Sequence, residues 1–125
     1  MSTQDKPIAV VAETLFLVNL LLLPGLAFLA LLVLFVVWRE RASPLVTNHL
    51  VQTVGASLVG GALIVCVIAL VLALGGFGSG YTWMVVVLYF TCVHSSLILM
   101  GVMGLVKAMA GQRYRYPVVG RWFGA

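Results

Sequence analysis

Apolar residues run almost unbroken over 8–38, about 49–75 and about 82–106. Polar residues gather between these runs, in "RERASPLVTN" (39–48) and "GFGSGY" (76–81), and after them, in a tail from 107 to 125. No internal repeat is visible. At 1.5 Å per helical residue the second and third runs are about 40 and 37 Å long. A hydrocarbon core is about 30 Å thick, so each run predicts one tilted transmembrane helix. Glycines 75, 76, 78 and 80 lie in or beside the link between them, which carries no charge. It reads as a tight hairpin, with Tyr81 and Trp83 where an interfacial aromatic belt sits.

The first run is too long for one straight span. As a single helix it would reach about 46 Å and need a tilt of about 50°, beyond the usual range. Pro24 and Gly25 interrupt it in "LLLPGLAF". Proline lacks an N–H and clashes with the preceding turn, yet suits the first turn of a new helix. The preferred reading is two short helices, 8–22 and 24–38, each about 22 Å long and folded back at Pro24. Their turn would then lie below the membrane surface, where irregular backbone must be covered by protein. The alternative is three spans with a kinked first helix. Either way the chain is all-α, a single polytopic transmembrane bundle over 1–125, with helices about 8–22, 24–38, 49–75 and 82–106 and an interfacial tail over 107–125.

Composition sharpens the class. Of the 125 residues, 63% are hydrophobic and 8% charged, against about 25% charged in a soluble domain. The N-terminus has one lysine beside an aspartate and no Ala-x-Ala pattern after its apolar run, so it is read as retained and not as a cleaved signal. Cys66 and Cys92 lie inside apolar runs and are expected to be buried free thiols.

Charge gives direction. Arg39 and Arg41 follow the first run; Lys107, Arg113, Arg115 and Arg121 follow the last; the 76–81 link has no basic residue. Basic residues stay on the cytoplasmic side. The expected location is the bacterial inner membrane, multi-pass, with 39–48 and the C-terminus in the cytoplasm. In "GQRYRYPVVGRW" (111–122) arginines alternate with tyrosines. The expectation is an interfacial anchor or partner contact. Arg113, Arg115 and Arg121 would reach lipid phosphates, with Tyr114, Tyr116 and Trp122 at headgroup level. So short a tail, so close to the bilayer, argues against nucleic acid as a partner.

Pro24 stands ahead of an apolar helix ending in "WRER", "SPLVTNHLVQT" opens the next helix, and "GLVKAMAGQRYRYP" closes the last. Together these stretches resemble the small four-helix family that joins the plastid Tic translocon inner-membrane component to bacterial relatives of unknown function. Lys107, Ala108, Gly111, Tyr114, Arg115, Tyr116 and Pro117 match that family's "KA-x-x-G-x-x-YRYP" ending. The resemblance implies four helices in the inner membrane. It does not imply protein import, because kinship of fold does not transfer function.

Ionisable and polar groups inside spans are costly and are candidates for function. Here they are Glu13, Asn19, His49, Gln52, Thr91, His94 and Ser95, with Ser96 beside them and Lys107 at the edge. Under the hairpin reading, Glu13, His49, Gln52 and Lys107 share the cytoplasmic level and are expected to form a hydrogen-bonded cluster that locks the bundle. Deeper in, Asn19 and His94 fall at similar depth and are expected to pair, with Thr91 and Ser95 nearby. His49 and His94 lie about 18 Å apart in depth, which argues against their sharing one haem. Cys92 and His94, two apart, share no helix face. Small residues at 55, 62, 66, 69 and 73, and at 101, 104 and 108, mark faces where helices can approach closely.

No Ser/His/Asp set, paired carboxylates, metal-ligand spacing or phosphate loop is present. The expected protein is therefore not an enzyme, with no cofactor and no metal. It would be a small accessory or scaffold subunit of a membrane complex, its partners being membrane lipids and other membrane subunits or copies of itself. The alternatives are a homo-oligomeric channel or carrier built around Glu13, His49 and His94, and a haem or quinone redox subunit.

Overall fold

The computed structural model describes residues 5–40 and 43–124. Among these the chain is helical, with no strand. Four helices follow one another: α1 (Asp5–Leu21), α2 (Leu26–Trp38), α3 (Pro44–Ala73) and α4 (Gly80–Met109). Arg41, used above to infer orientation, lies outside the described residues.

The break at Pro24 makes a hairpin. Gly25 stands at φ 88°, a conformation open to glycine at little cost. Proline occupies the turn itself, and α2 begins two residues later than expected, at Leu26. Asn19 explains why a turn can exist at this depth. Its Oδ1 accepts from Gly25 N–H at 2.8 Å and from Phe28 N–H at 3.2 Å. Two donors at the start of α2, orphaned by helix geometry, are thereby satisfied without water.

α3 starts at Pro44, earlier than the expected 49. Ser43 caps it, its Oγ accepting from Val46 N–H at 3.3 Å, and Pro44 fits the first helical position. The glycine link is a tight turn, and Ser79 caps α4 by accepting from Tyr81 N–H at 3.2 Å. α4 is continuous but loosens into a π-helical segment over Tyr89–His94. Ser95 Oγ donates to Phe90 O at 2.8 Å across that widened turn.

α1 is the central helix and packs on the other three. Its buried side chains, Ala9, Ala12, Glu13 and Phe16, recur at helical spacing. Glycines of α4 let it come close. A Cβ on Gly101 would stand 2.7 Å from Leu17 Cδ2, and one on Gly104 would stand 2.5 Å from Glu13 Oε2. The small face expected at 101, 104 and 108 is thus a real seam within the chain. The small face expected on α3 is real only at Gly55, because Ala62, Cys66, Ala69 and Ala73 are exposed. Cys66 and Cys92 are free, and both face outward, contrary to the expected burial.

The short α1–α2 hairpin covers only the half of the α3–α4 hairpin nearer the tail. Beyond Gly60, Val71 is the one buried residue of α3. Large apolar side chains there, among them Val65, Ile68, Leu72, Val87 and Phe90, are exposed. Such a surface is stable in lipid and not in water.

Candidate functional site

The polar residues of the spans collect at one end of the bundle, and the tail brings the backbone groups that satisfy them. α4 stops in a Schellman turn. Gly111, at φ 71°, donates its N–H to Ala108 O at 3.0 Å, and Gln112 N–H donates to Lys107 O at 2.8 Å. This turn sends 112–116 back across the start of α3 as an extended segment. Side chains of an extended segment alternate in direction. Tyr114 and Tyr116 face the bundle, their ring centroids 5.3 Å apart, while Arg113 and Arg115 stay exposed. The alternation assigned above to a membrane interface is that of an irregular segment docked on α3 with alternate side chains buried.

Side-chain amides of α3 bond to the backbone of this segment. Asn48 Nδ2 donates to Tyr114 O at 2.9 Å, and Tyr114 N–H donates to Asn48 Oδ1 at 2.7 Å. One turn along the helix, Gln52 Oε1 accepts from Tyr116 N–H at 2.9 Å, and Gln52 Nε2 donates to Gly120 O at 2.9 Å. Residues four apart share a helix face, so 48 and 52 grip positions 114 and 116 in register. Gly120 lies on Gln52 so closely that a Cβ there would collide with Oε1.

Beneath this segment sits the ionisable core. Glu13 and His49 are both 0% exposed, and Glu13 Oε1 is 2.6 Å from His49 Nδ1. His49 Nε2 faces Gln112 O at 2.8 Å. A carbonyl only accepts, so Nε2–H must donate. One proton then lies between Oε1 and Nδ1, and the pair is neutral as a unit. The hydroxyl of Tyr116 donates to the other carboxyl oxygen, Oε2. All four hydrogen-bonding atoms of Glu13 and His49 are used, which is the condition for keeping such groups out of water. Phe16 meets the Tyr116 ring edge-on at 5.3 Å. Burial, and then the adjacent Glu13 carboxyl, push the Tyr116 phenol well above its ordinary value; Tyr114 is raised by the same causes.

Several expectations change here. Lys107 does not join the Glu13 cluster; it lies about a quarter turn around α4 from the middle of the 101, 104 and 108 face, and its side chain reaches Gln112 Oε1 at 3.3 Å at the surface. Tyr116 is 1% exposed and is no headgroup residue, and Tyr114 is half-buried. Arg113, Arg115, Arg121 and Trp122 are exposed, and the first two border an open pocket of about 600 Å³ with Pro44, Thr47 and Asn48. Asn19 and His94 do not bond to each other. Asn19 caps α2, and His94 Nε2–H donates to Leu20 O at 3.1 Å, so both serve the same turn from opposite sides. Thr91 and Ser95 point outward. Asn48, Tyr116 as a core residue and Gly120 were missed. The signal available was the period of two in "RYRY", which predicts a strand-like segment with one buried face.

Over residues 4–123 the sequence matches the profile of MamF/MmsF, the magnetosome magnetite crystal formation protein family. The chain belongs to this family. The match spans the whole site, from Glu13 to the tail through Trp122. No curated protein and no solved structure matches the chain. This MamF/MmsF family member is a small helical membrane protein. Among its described residues no group of three or more His, Cys, Asp or Glu stands close enough to hold a metal ion.

Proposed function

We propose that this chain is a non-enzymatic accessory or scaffold subunit in the bacterial inner membrane or in a membrane drawn from it. One observation carries the reading. The ionisable core, Glu13 and His49, is spent entirely on partners within the chain, so it locks the tail down and leaves no group free for a substrate. A channel or carrier built around Glu13, His49 and His94 loses two of its three residues by the same token. The resemblance to the Tic component agrees with the fold and adds no activity.

The family's description extends to this chain a part in magnetite crystal formation. The link between α3 and α4 has no ionisable side chain with which to grip iron, so the role fits organisation of the membrane and its subunits better than contact with mineral. The tail end belongs on the cytoplasmic side, where Arg113, Arg115 and Arg121 meet anionic headgroups. The bare outer half of α3 and α4 is the surface for other subunits or copies.

Proteoliposomes and a topology reporter test this. Reconstituted protein should pass no ions or small solutes, and a reporter fused behind Ala125 should be active only in the cytoplasm. Solute flux abolished by His94→Leu, or a reporter active outside, would overturn the reading.

A further inference from the structure

The tail closes a loop over the start of α3. Arg113 and Arg115 at its beginning and Gly124 at its end border the same open pocket of about 600 Å³, with Pro44 and Thr47 of the first turn of α3 beside them. Phe123 pins the returning end, its ring so close to Gly55 that an added Cβ would stand 2.4 Å from Cδ2. Compact loops with neighbouring ends frequently carry function. Arg113 and Arg115 are two apart on an extended segment, hence on one side of it and about 7 Å from each other. Both are exposed. Among the described residues neither has a hydrogen bond or an ion pair. The acidic residues of the sequence are Asp5, Glu13 and Glu40, and none of them borders the pocket.

Charge and level select the occupant. The guanidinium fork matches the oxygens of a phosphate, and two forks on one side can share it. A zwitterionic headgroup would bring an ammonium group as well, with no carboxylate there to receive it. Level decides the source. α3 has 30 residues and is about 45 Å long, against a hydrocarbon core of about 30 Å, so its first turn stands in the headgroup layer. Val118 and Trp122 ride on the same loop, 61% and 60% exposed, and tryptophan favours that layer. We infer that this pocket binds the phosphate of an anionic phospholipid such as phosphatidylglycerol, with Arg113 and Arg115 on its oxygens and its glycerol against Pro44 and Thr47. A soluble phosphate ester shares the chemistry but not the level. The inference rests on the proposed cytoplasmic placing of the tail and deepens it, turning a general attraction for anionic headgroups into one site.

The test is native mass spectrometry of the full chain in a non-ionic detergent, titrated with phosphatidylglycerol, and separately with phosphatidylcholine and with glycerol phosphate. Saturable binding of one phosphatidylglycerol per chain is expected, with both other probes much weaker. Arg113→Gln and Arg115→Gln should each weaken it about five- to tenfold. Arg39→Gln removes the same charge at an exposed position outside the pocket and should change it little. These side chains are exposed, so each variant should melt as the parent does without lipid. Equal weakening by all three variants would mean surface attraction alone and would overturn the inference. So would equal affinity for phosphatidylcholine, or glycerol phosphate binding as tightly as the lipid. The reporter behind Ala125 reads the side of the tail independently, so a failure to bind lipid with the reporter active in the cytoplasm would sink this site alone.

Discussion

The Tyr116 hydroxyl hydrogen-bonds to Glu13, joining the first helix to a residue 103 positions later in the chain. With His49 on the other carboxyl oxygen, Glu13 becomes the point where α1, α3 and the tail are tied. The bundle is closed at this end by its own C-terminal segment.

Removing the hydroxyl tests the tie. Tyr116→Phe keeps the ring against Phe16 but leaves Glu13 Oε2 buried and unbonded, at a cost of about 1–3 kcal/mol. Tyr116→Ala also opens a cavity and should cost about 3–5 kcal/mol. Melting in mild detergent should rank parent, Phe, Ala in falling order. Trypsin should cut at Arg113 and Arg115 faster in the same sequence. Equal melting of parent and Phe variant would contradict the tie.

Glu13 and His49 should behave as one unit. Breaking a buried pair from one side costs about 3–5 kcal/mol, because the remaining group is stranded. Glu13→Leu and His49→Leu should each be strongly destabilising, and the double variant much milder than their sum. Additive losses in detergent melts would show that the two residues act separately.

The seam between α1 and α4 depends on having no side chain at 104. Gly104→Val places atoms where Glu13 already sits and should cost about 1–3 kcal/mol by overpacking. The same change at Gly61, where an added Cβ meets nothing within 4 Å, should be near neutral. Equal melting temperatures for the two variants would refute the seam.

Stability should fall at alkaline pH. The Tyr116 phenol is held above its ordinary value of 10.0, first by burial and then by Glu13. Below about pH 10 the phenol is neutral in both folded and unfolded chains, and its contribution is fully present. Above that the unfolded phenol ionises first, the folded state holds more protons, and stability drops with rising pH. Melting curves taken upward from about pH 9 should show a decline that Tyr116→Phe partly removes. A decline of the same steepness in the variant would assign it to other groups.

Val118 stands at φ 66° in a three-residue turn closed by Val119 N–H to Pro117 O at 2.7 Å. A β-branched residue is strained there, by about 1–2 kcal/mol. The side chain is 61% exposed, so Val118→Gly gives up little packing and should stabilise the bundle by about 1 kcal/mol. A lower melting temperature would mean that Val118 makes contacts its exposure does not suggest.

Much of this architecture was legible because lipid imposes simple demands. Long apolar runs had to be helices, and a run of 31 residues with Pro24 in it favoured folding back over a single kinked span. The level shared by Glu13, His49 and Gln52 followed from counting residues along helices. What the runs could not disclose was the tail. Tyr and Arg suit a membrane interface by composition, and only the docked segment shows that the tyrosines face inward and the arginines outward. Lys107 misled for a related reason. Depth alone placed it with Glu13, but around α4 Lys107 stands at the edge of the face made by Gly104 and Ala108, where its side chain reaches Gln112 instead. Asn19 and His94 were matched correctly in depth, yet both bond to backbone of the turn between them, a demand invisible until the turn is in place.

The central claim, that the Asn48 and Gln52 amides of α3 hold the tail backbone, is tested most directly by amide hydrogen exchange over 112–120 in detergent. The Tyr114 and Tyr116 amides donate to Asn48 and Gln52, so both should exchange slowly, with Arg113 before them and Arg115 between them fast. Gln52→Ala should release Tyr116. Uniformly fast exchange across the segment, in parent and variant alike, would contradict it.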